Sequence, residues 1–140
     1  MSIRLRGHHL LCLLTYKGEG YTPRFIENYD AVASQLSAGA PFEIIEGPDD
    51  ICAPLLAESA CAHCVKDRIR ARDQLALEEL ETAGFNFSSC RAFTFNKNTL
   101  SGMREAFAKS RIRGACVGCE WHGFCTQVAA DGYNDTKLTV

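Results

Sequence analysis

The sequence predicts a mainly α protein, with at most a minor β element, folded as one compact domain that carries two cysteine-bearing loops. Three observations support this expectation. Apolar residues recur at helical spacing in three stretches, β-branched residues cluster in one short run, and the two C-x-x-C pairs each stand beside a helical stretch. A length of 140 residues, 46% of them apolar, fits a single core spanning residues 1–140. A chain of this size buries roughly two thirds of the surface it would expose unfolded, so it needs no crosslinks merely to fold.

Residues 7–16 are apolar on nearly every face through Leu10, Leu11, Leu13 and Leu14, which predicts a buried helix ended by Gly18 and Gly20. Thr22 reads as an N-cap with Pro23 in the first helical position. Phe25, Tyr29, Val32, Ala33 and Leu36 follow at helical spacing, and Gly39 stands where a left-handed C-cap belongs. Residues 42–46, between Pro41 and Gly47-Pro48, predict a lone strand. A loop with Asp49, Asp50, Cys52 and Pro54 leads to Cys61 and Cys64. The helical pattern returns over 65–83 through Ile69, Ala76, Leu77 and Leu80, and Gly84 stops it. Residues 85–95 are aromatic and irregular. Asn98 or Thr99 then caps a helix with Leu100, Met103 and Phe107 facing inward. Lys109, Arg111 and Arg113 gather at its end, where positive charge opposes the helix dipole. The polar residues 131–140 are expected to fray.

Net charge is −2 and the pI is about 6.1, so no positive field draws the chain to nucleic acid or to an anionic membrane. Arg4 and Arg6 ahead of residues 10–14 superficially suggest a secretory signal. That run is too short, no small-residue cleavage site follows it, and no stretch approaches the roughly 18 apolar residues of a membrane helix. The expected location is cytoplasmic. In a reducing compartment, eight cysteines point to metal or redox chemistry and not to disulfides.

The C-terminal group reads Cys116-Val-Gly-Cys119-Glu-Trp-His-Gly-Phe-Cys125. Thiolates two residues apart turn back onto one metal because the tight loop between them aims amide N–H groups at sulfur, and Gly118 eases that turn. The first group, Cys52 followed by Cys61-Ala-His-Cys64, supplies a second such pair and one further thiol. Cys61, Cys64, Cys116 and Cys119 together make a four-thiolate zinc site on paper, but their separation far exceeds the roughly 15–20 residues of a compact zinc ribbon. Six cysteines for one site, with Trp121 and Phe124 able to screen it from water, favour an iron-sulfur cluster of the [4Fe-4S] type. Zinc is the alternative. Cys116, Cys119 and Cys125 are the expected ligands from one loop, with Cys64, Cys52 or Cys61 closing the site from the other. Cys64 leads because it precedes a helix whose N-terminal amides would face the negative centre.

The spacing Cys116-x2-Cys119-x5-Cys125 resembles the last three ligands of the cluster loop in endonuclease III-like DNA glycosylases. Lys109 stands where that loop has its first cysteine, and no catalytic hairpin and Asp follow, so the likeness implies a cluster loop and no repair activity. A wider likeness rests on Arg6-Gly-His-His-Leu-Leu-Cys12, Gly20-Tyr21 with Phe25, Gly47-Pro-Asp-Asp-Ile-Cys52, and Cys116-x2-Cys119-x-Trp121 with Cys125. Through these residues nearly the whole chain resembles the DUF1284 family of bacterial and archaeal proteins of unknown function. The resemblance implies iron-sulfur binding and no particular reaction. Many relatives carry a Cys-Pro shortly after the Asp-Ile-Cys segment, where this chain has Leu55 and Leu56, which makes Cys61 a candidate displaced ligand.

His8 and His9 precede Cys12 without any spacing that ties them to the cysteine loops, so they read first as helix-start residues and second as ligands or proton donors. His63 and His122 lie inside the loops as reserve ligands. Cys12 and Cys90 read as core thiols. The leading function is electron transfer or cluster sensing, with a redox partner protein and the chemistry residing in the cofactor. A zinc-stabilised binding module is the runner-up. An enzyme pairing a cysteine with His8 or His9 is the third reading; the balance leans away from catalysis.

Overall fold

In a computed structural model the described residues are 2–19, 22–46, 49–53, 67–87, 91–117, 119 and 121–140, with backbone alone described at 67 and 68. They form, in chain order, β1 (Ile3–Arg6), α1 (His9–Thr15), α2 (Pro23–Ser37), β2 (Phe42–Ile45), α3 (Asp67–Thr82), β3 (Ala92–Phe93), α4 (Lys97–Ala108), a 3-10 turn (Gly114–Cys116) and α5 (His122–Ala130). The protein is mainly α with a minor three-stranded sheet. Among the described residues no helix is long and apolar enough to cross a membrane.

Of the residues that superficially suggest a signal sequence, Ile3–Arg6 form a strand and the apolar run falls in α1. Ile3 and Leu5 of β1 are buried while Arg4 between them is exposed, the alternation of a half-buried strand. β1 runs parallel to β2 with Leu5 opposite Ile44, so the chain between them must cross over, and α1 and α2 are that crossover. β3 adds on the other side of β2, antiparallel, with Phe93 opposite Phe42. Phe42 is fully buried and its ring stacks on Phe95 at 4.7 Å, which explains why the aromatic stretch before α4 packs on the sheet. The sequence suggested one strand. β1 and β3 were hidden because one carries three polar or small neighbours around its apolar pair and the other has two residues.

α1 is buried on nearly every face, as the pattern predicts: Leu10, Leu11, Leu13 and Leu14 are at most 1% exposed. α2 has the expected cap, with the Phe25 amide donating to Thr22 Oγ1 at 3.1 Å, and Gly39 takes φ +94° just past its end. The cap of α4 lies two residues earlier than predicted. Asn96 Oδ1 accepts from the Thr99 amide at 2.8 Å, so Thr99 is inside the helix. Gly7, between β1 and α1, allows the chain to ride against α3. A Cβ there would stand 2.5 Å from the Asp73 carbonyl oxygen, which is backbone and has no easy way to yield.

Residues 131–140 do not fray. Leu138 is fully buried, Arg104 donates to Thr136 Oγ1 and to the Leu138 carbonyl at 3.0 Å each, and the Lys137 amide donates to the Tyr16 carbonyl at 2.9 Å. One apolar residue among polar ones gives no periodic signal, yet it anchors the segment. Leu138→Ala is therefore expected to cost about 2–5 kcal/mol in urea unfolding; a cost below about 0.5 kcal/mol would mean that the tail is not held by this contact.

Candidate metal centre

Two groups of side chains of the types that can ligate a metal lie at α1. The first gathers at its C-terminal end. Thr15, the last residue of α1, shares a 3.1 Å hydrogen bond with Cys125 Sγ in the first turn of α5. Cys12 lies three residues before Thr15 on the same helix face, and of the other cysteines Cys125 acts most strongly on its thiol. Cys116 and Cys119 approach from the 3-10 turn, where the Cys119 amide donates to the Cys116 carbonyl at 3.0 Å and the Trp121 amide points at Cys119 Sγ at 3.4 Å. Electrostatics describe the same convergence. Burial raises the Cys12 thiol well above its ordinary value, and Cys125, Cys116 and Cys119 raise it further. Burial also raises Cys116, opposed by the Arg113 guanidinium, and raises Cys125, opposed by the Thr15 hydroxyl. At Cys12, Cys116 and Cys125 burial thus favours the neutral thiol over the thiolate.

Trp121 and Phe124 meet edge to face at 5.8 Å beside this group. On the opposite side Tyr29 stacks on Tyr16 with ring centroids 3.7 Å apart, and Tyr16 is one turn along α1 from Cys12. Tyr29 is buried and its hydroxyl has no hydrogen-bond partner among the described residues. Burial, and after it the nearby Cys12, keeps that hydroxyl protonated. His122, a reserve ligand by sequence, begins α5 with its carbonyl held by Arg113 at 3.2 Å.

The second group lies at the N-terminal end of α1 and contains Cys52. Asp49 organises it: Oδ1 accepts from the Ile51 and Cys52 amides at 3.0 and 3.1 Å, and Oδ2 from the Arg6 amide at 2.8 Å and from His9 Nδ1 at 2.7 Å. One ligand atom each from His9, Asp49 and Cys52 lies within 4.8 Å of the others, and all three residues are buried. Burial, followed by Asp49, pushes the Cys52 thiol up to about 12. His8, whose ring centroid is 4.5 Å from that of His9, is paired instead with Asp73 at 2.5 Å, and the fully buried Arg6 donates from Nε to the other oxygen of Asp73 at 2.9 Å.

The sequence-predicted ligands thus separate. Cys116, Cys119 and Cys125 lie near enough to act on one another electrostatically, whereas Cys52 stands with His9 and Asp49. Cys12, read from sequence as a core thiol, lies near the C-terminal group. Nothing in local spacing shows this; the one available signal was a cysteine on a helix that already had enough apolar residues to bury. Cys61, His63, Cys64 and Cys90 lie outside the described residues.

The second group carries a pH dependence. Burial, then His9, lowers His8 to about 4 despite Asp73, from about 6.5 in an unfolded chain. Between these values the unfolded chain binds a proton that the folded one does not, so stability rises with pH and is lost on acidification from about 6.5 to 4. Asp49 extends the loss. Burial would raise it, but His9 and the Arg6 and Cys52 amides hold it at about 2, below the unfolded value near 3.9, so its contribution falls away between those values. Arg6, Asp73 and His9 are the charged or titratable groups facing this pair. The urea midpoint of the metal-free chain should drop from pH 7 to pH 4.5 by the equivalent of roughly 1–3 kcal/mol. Equal midpoints would mean that His8 is not held neutral.

The family model described as "Protein of unknown function (DUF1284)" matches residues 20–125. No curated protein and no solved structure matches the chain.

Proposed function

We propose, for a chain that belongs to the DUF1284 family, that it binds a [4Fe-4S] cluster through Cys12, Cys116, Cys119 and Cys125 and serves in electron transfer or in redox sensing. The observation that supports this reading is the closeness of Cys12 on α1 to Cys125, Cys116 and Cys119 of one C-terminal segment, all three of which act on its thiol. Three sulfurs from a short loop and one from a remote helix is a common way to hold a cluster. In this reading Cys12 takes the ligand position that Lys109 does not supply in sequence.

The surroundings fit such a group. A buried tyrosine hydroxyl without a partner loses about 1–3 kcal/mol relative to one that is paired, and a cluster sulfur beside Cys12 gives Tyr29 an acceptor. The Trp121 amide and the Thr15 hydroxyl already point at two of the thiols, and donors of this kind stabilise thiolate ligands and raise the reduction potential of what they hold. Arg113, whose guanidinium opposes the rise at Cys116, offsets part of the negative charge. When bound, the cluster supplies one-electron chemistry. The chain's own residues hold it, keep water from one side through Trp121 and Phe124, and fix the hydrogen bonds to its ligands.

Anaerobic purification from iron-replete cells tests this. The expected product is brown, absorbs broadly near roughly 400 nm, and contains about four irons and four sulfides per chain. A colourless chain whose four cysteines hold one zinc overturns the redox reading in favour of a zinc-stabilised module.

A further inference from the structure

We infer that His9, Asp49 and Cys52 form a second metal site, which takes a single divalent ion of the zinc or iron(II) class and is separate from the four-cysteine group. The three donors are a nitrogen, an oxygen and a sulfur, a mixed set that suits borderline ions and is poor for magnesium or calcium, which take oxygen alone. Their ligand atoms lie within 4.8 Å of one another. Bonds of about 2.0–2.3 Å place donors about 3–4 Å apart around one ion, so the 2.7 Å contact between His9 Nδ1 and Asp49 Oδ2 opens by a few tenths of an ångström and the sulfur closes by less than about 2 Å.

The frame for such an ion is built. Asp49 and Cys52 sit on one tight loop, tied together by the Ile51 and Cys52 amides on Asp49 Oδ1, and the Arg6 amide holds Oδ2 from β1. His9 comes from the first turn of α1, which is anchored by the buried leucines behind it. Arg6 Nη1 lies 4.0 Å from Cys52 Sγ. A guanidinium beside an uncharged thiol is a poor pairing, whereas beside a metal-bound thiolate it is a charge pair.

The protons and charges balance. The ion takes the place of the proton between Nδ1 and Oδ2, the imidazole carries its ring proton on Nε2, and the Cys52 thiol proton leaves to solvent. Asp49, Asp73 and the Cys52 thiolate then contribute three negative charges, matched by Arg6 and the divalent ion, so the buried group is neutral as a whole. Three protein donors leave one coordination position for water or a small ligand.

Cobalt(II) is the probe, added anaerobically to the full chain in two backgrounds: the iron-loaded wild type, and C116S/C119S, which leaves the four-cysteine group incomplete. The expected result in both is uptake of about one cobalt with a thiolate-to-cobalt charge-transfer band, weakened at least tenfold in apparent affinity by C52S and by His9→Asn. The His9→Asn variant retains an N–H donor for Asp49, so it keeps the loop while removing the imidazole. No cobalt band in either background, or a band that both variants leave unchanged, overturns the site. Because the readout in C116S/C119S is independent of iron, failure of the cluster reading and failure of this one are distinguishable.

Discussion

Cys12→Ser is expected to leave a folded chain that no longer retains its iron, with iron per chain and absorption near roughly 400 nm both falling more than about tenfold under anaerobic preparation. The reason is positional. Cys12 is the one described cysteine of the group that comes from outside the C-terminal segment, and it lies near Cys125, Cys116 and Cys119 where Thr15 of the same helix contacts α5. Serine offers a hydroxyl that stays protonated and cannot take the place of a thiolate. Because Leu10, Leu11, Leu13 and Leu14 anchor α1, the loss of one partly buried sulfur should cost little stability. Cys52→Ser gives the contrast, since its sulfur stands beside Arg6 and His9, and that variant should stay brown. A brown Cys12→Ser chain together with a colourless Cys52→Ser chain would instead assemble the cluster from the first loop, as the linear spacing of cysteines suggests.

These two variants mark where sequence reading ends. The helices were legible because each is amphipathic or apolar over several turns: Thr22 and Pro23 start α2, Gly39 ends it, and both signals act within a few residues of where they stand. The turn that brings Cys116 and Cys119 together was legible for the same reason, since it is local, with the Cys119 amide donating to the Cys116 carbonyl. Partnership across the fold leaves no such trace. Cys12 lies near Cys125 because α1 and α5 pack, and Cys52 stands apart because of Asp49, whose Oδ1 accepts from the Ile51 and Cys52 amides while its Oδ2 accepts from the Arg6 amide of β1 and from His9. His8 and His9 looked alike in sequence, being adjacent and without spacing to any cysteine. The fold gives each its own carboxylate, Asp73 from α3 and Asp49 from the loop after β2. The tail misled for a related reason: two buried residues, Thr136 and Leu138, outweigh the polar composition around them.

Arg6→Met is expected to cost about 3–5 kcal/mol in urea unfolding at pH 7, among the largest single losses open to this chain. Arg6 is fully buried, and its Nε donates to Asp73 Oδ2 at 2.9 Å from a strand to a helix that are distant in sequence. Methionine preserves much of the volume, so the cost comes chiefly from leaving a buried carboxylate whose remaining partners are the His8 amide at 3.1 Å and His8 Nδ1 at 2.5 Å. The double variant R6M/D73L removes the stranded charge and should be less destabilised than the two single changes added together, by about 1–3 kcal/mol. A pH series separates charge from packing. Burial pushes the Asp73 carboxyl up, while His8 and then Arg6 pull it below its ordinary value, so loss of Arg6 moves it upward. Below about pH 4 the carboxyl protonates more readily in the variant, the stranded charge disappears, and the gap between wild type and Arg6→Met should narrow. A gap that stays constant from pH 7 to pH 3.5, or one smaller than about 1 kcal/mol throughout, would show that Arg6 acts through its packed methylenes and not through its charge.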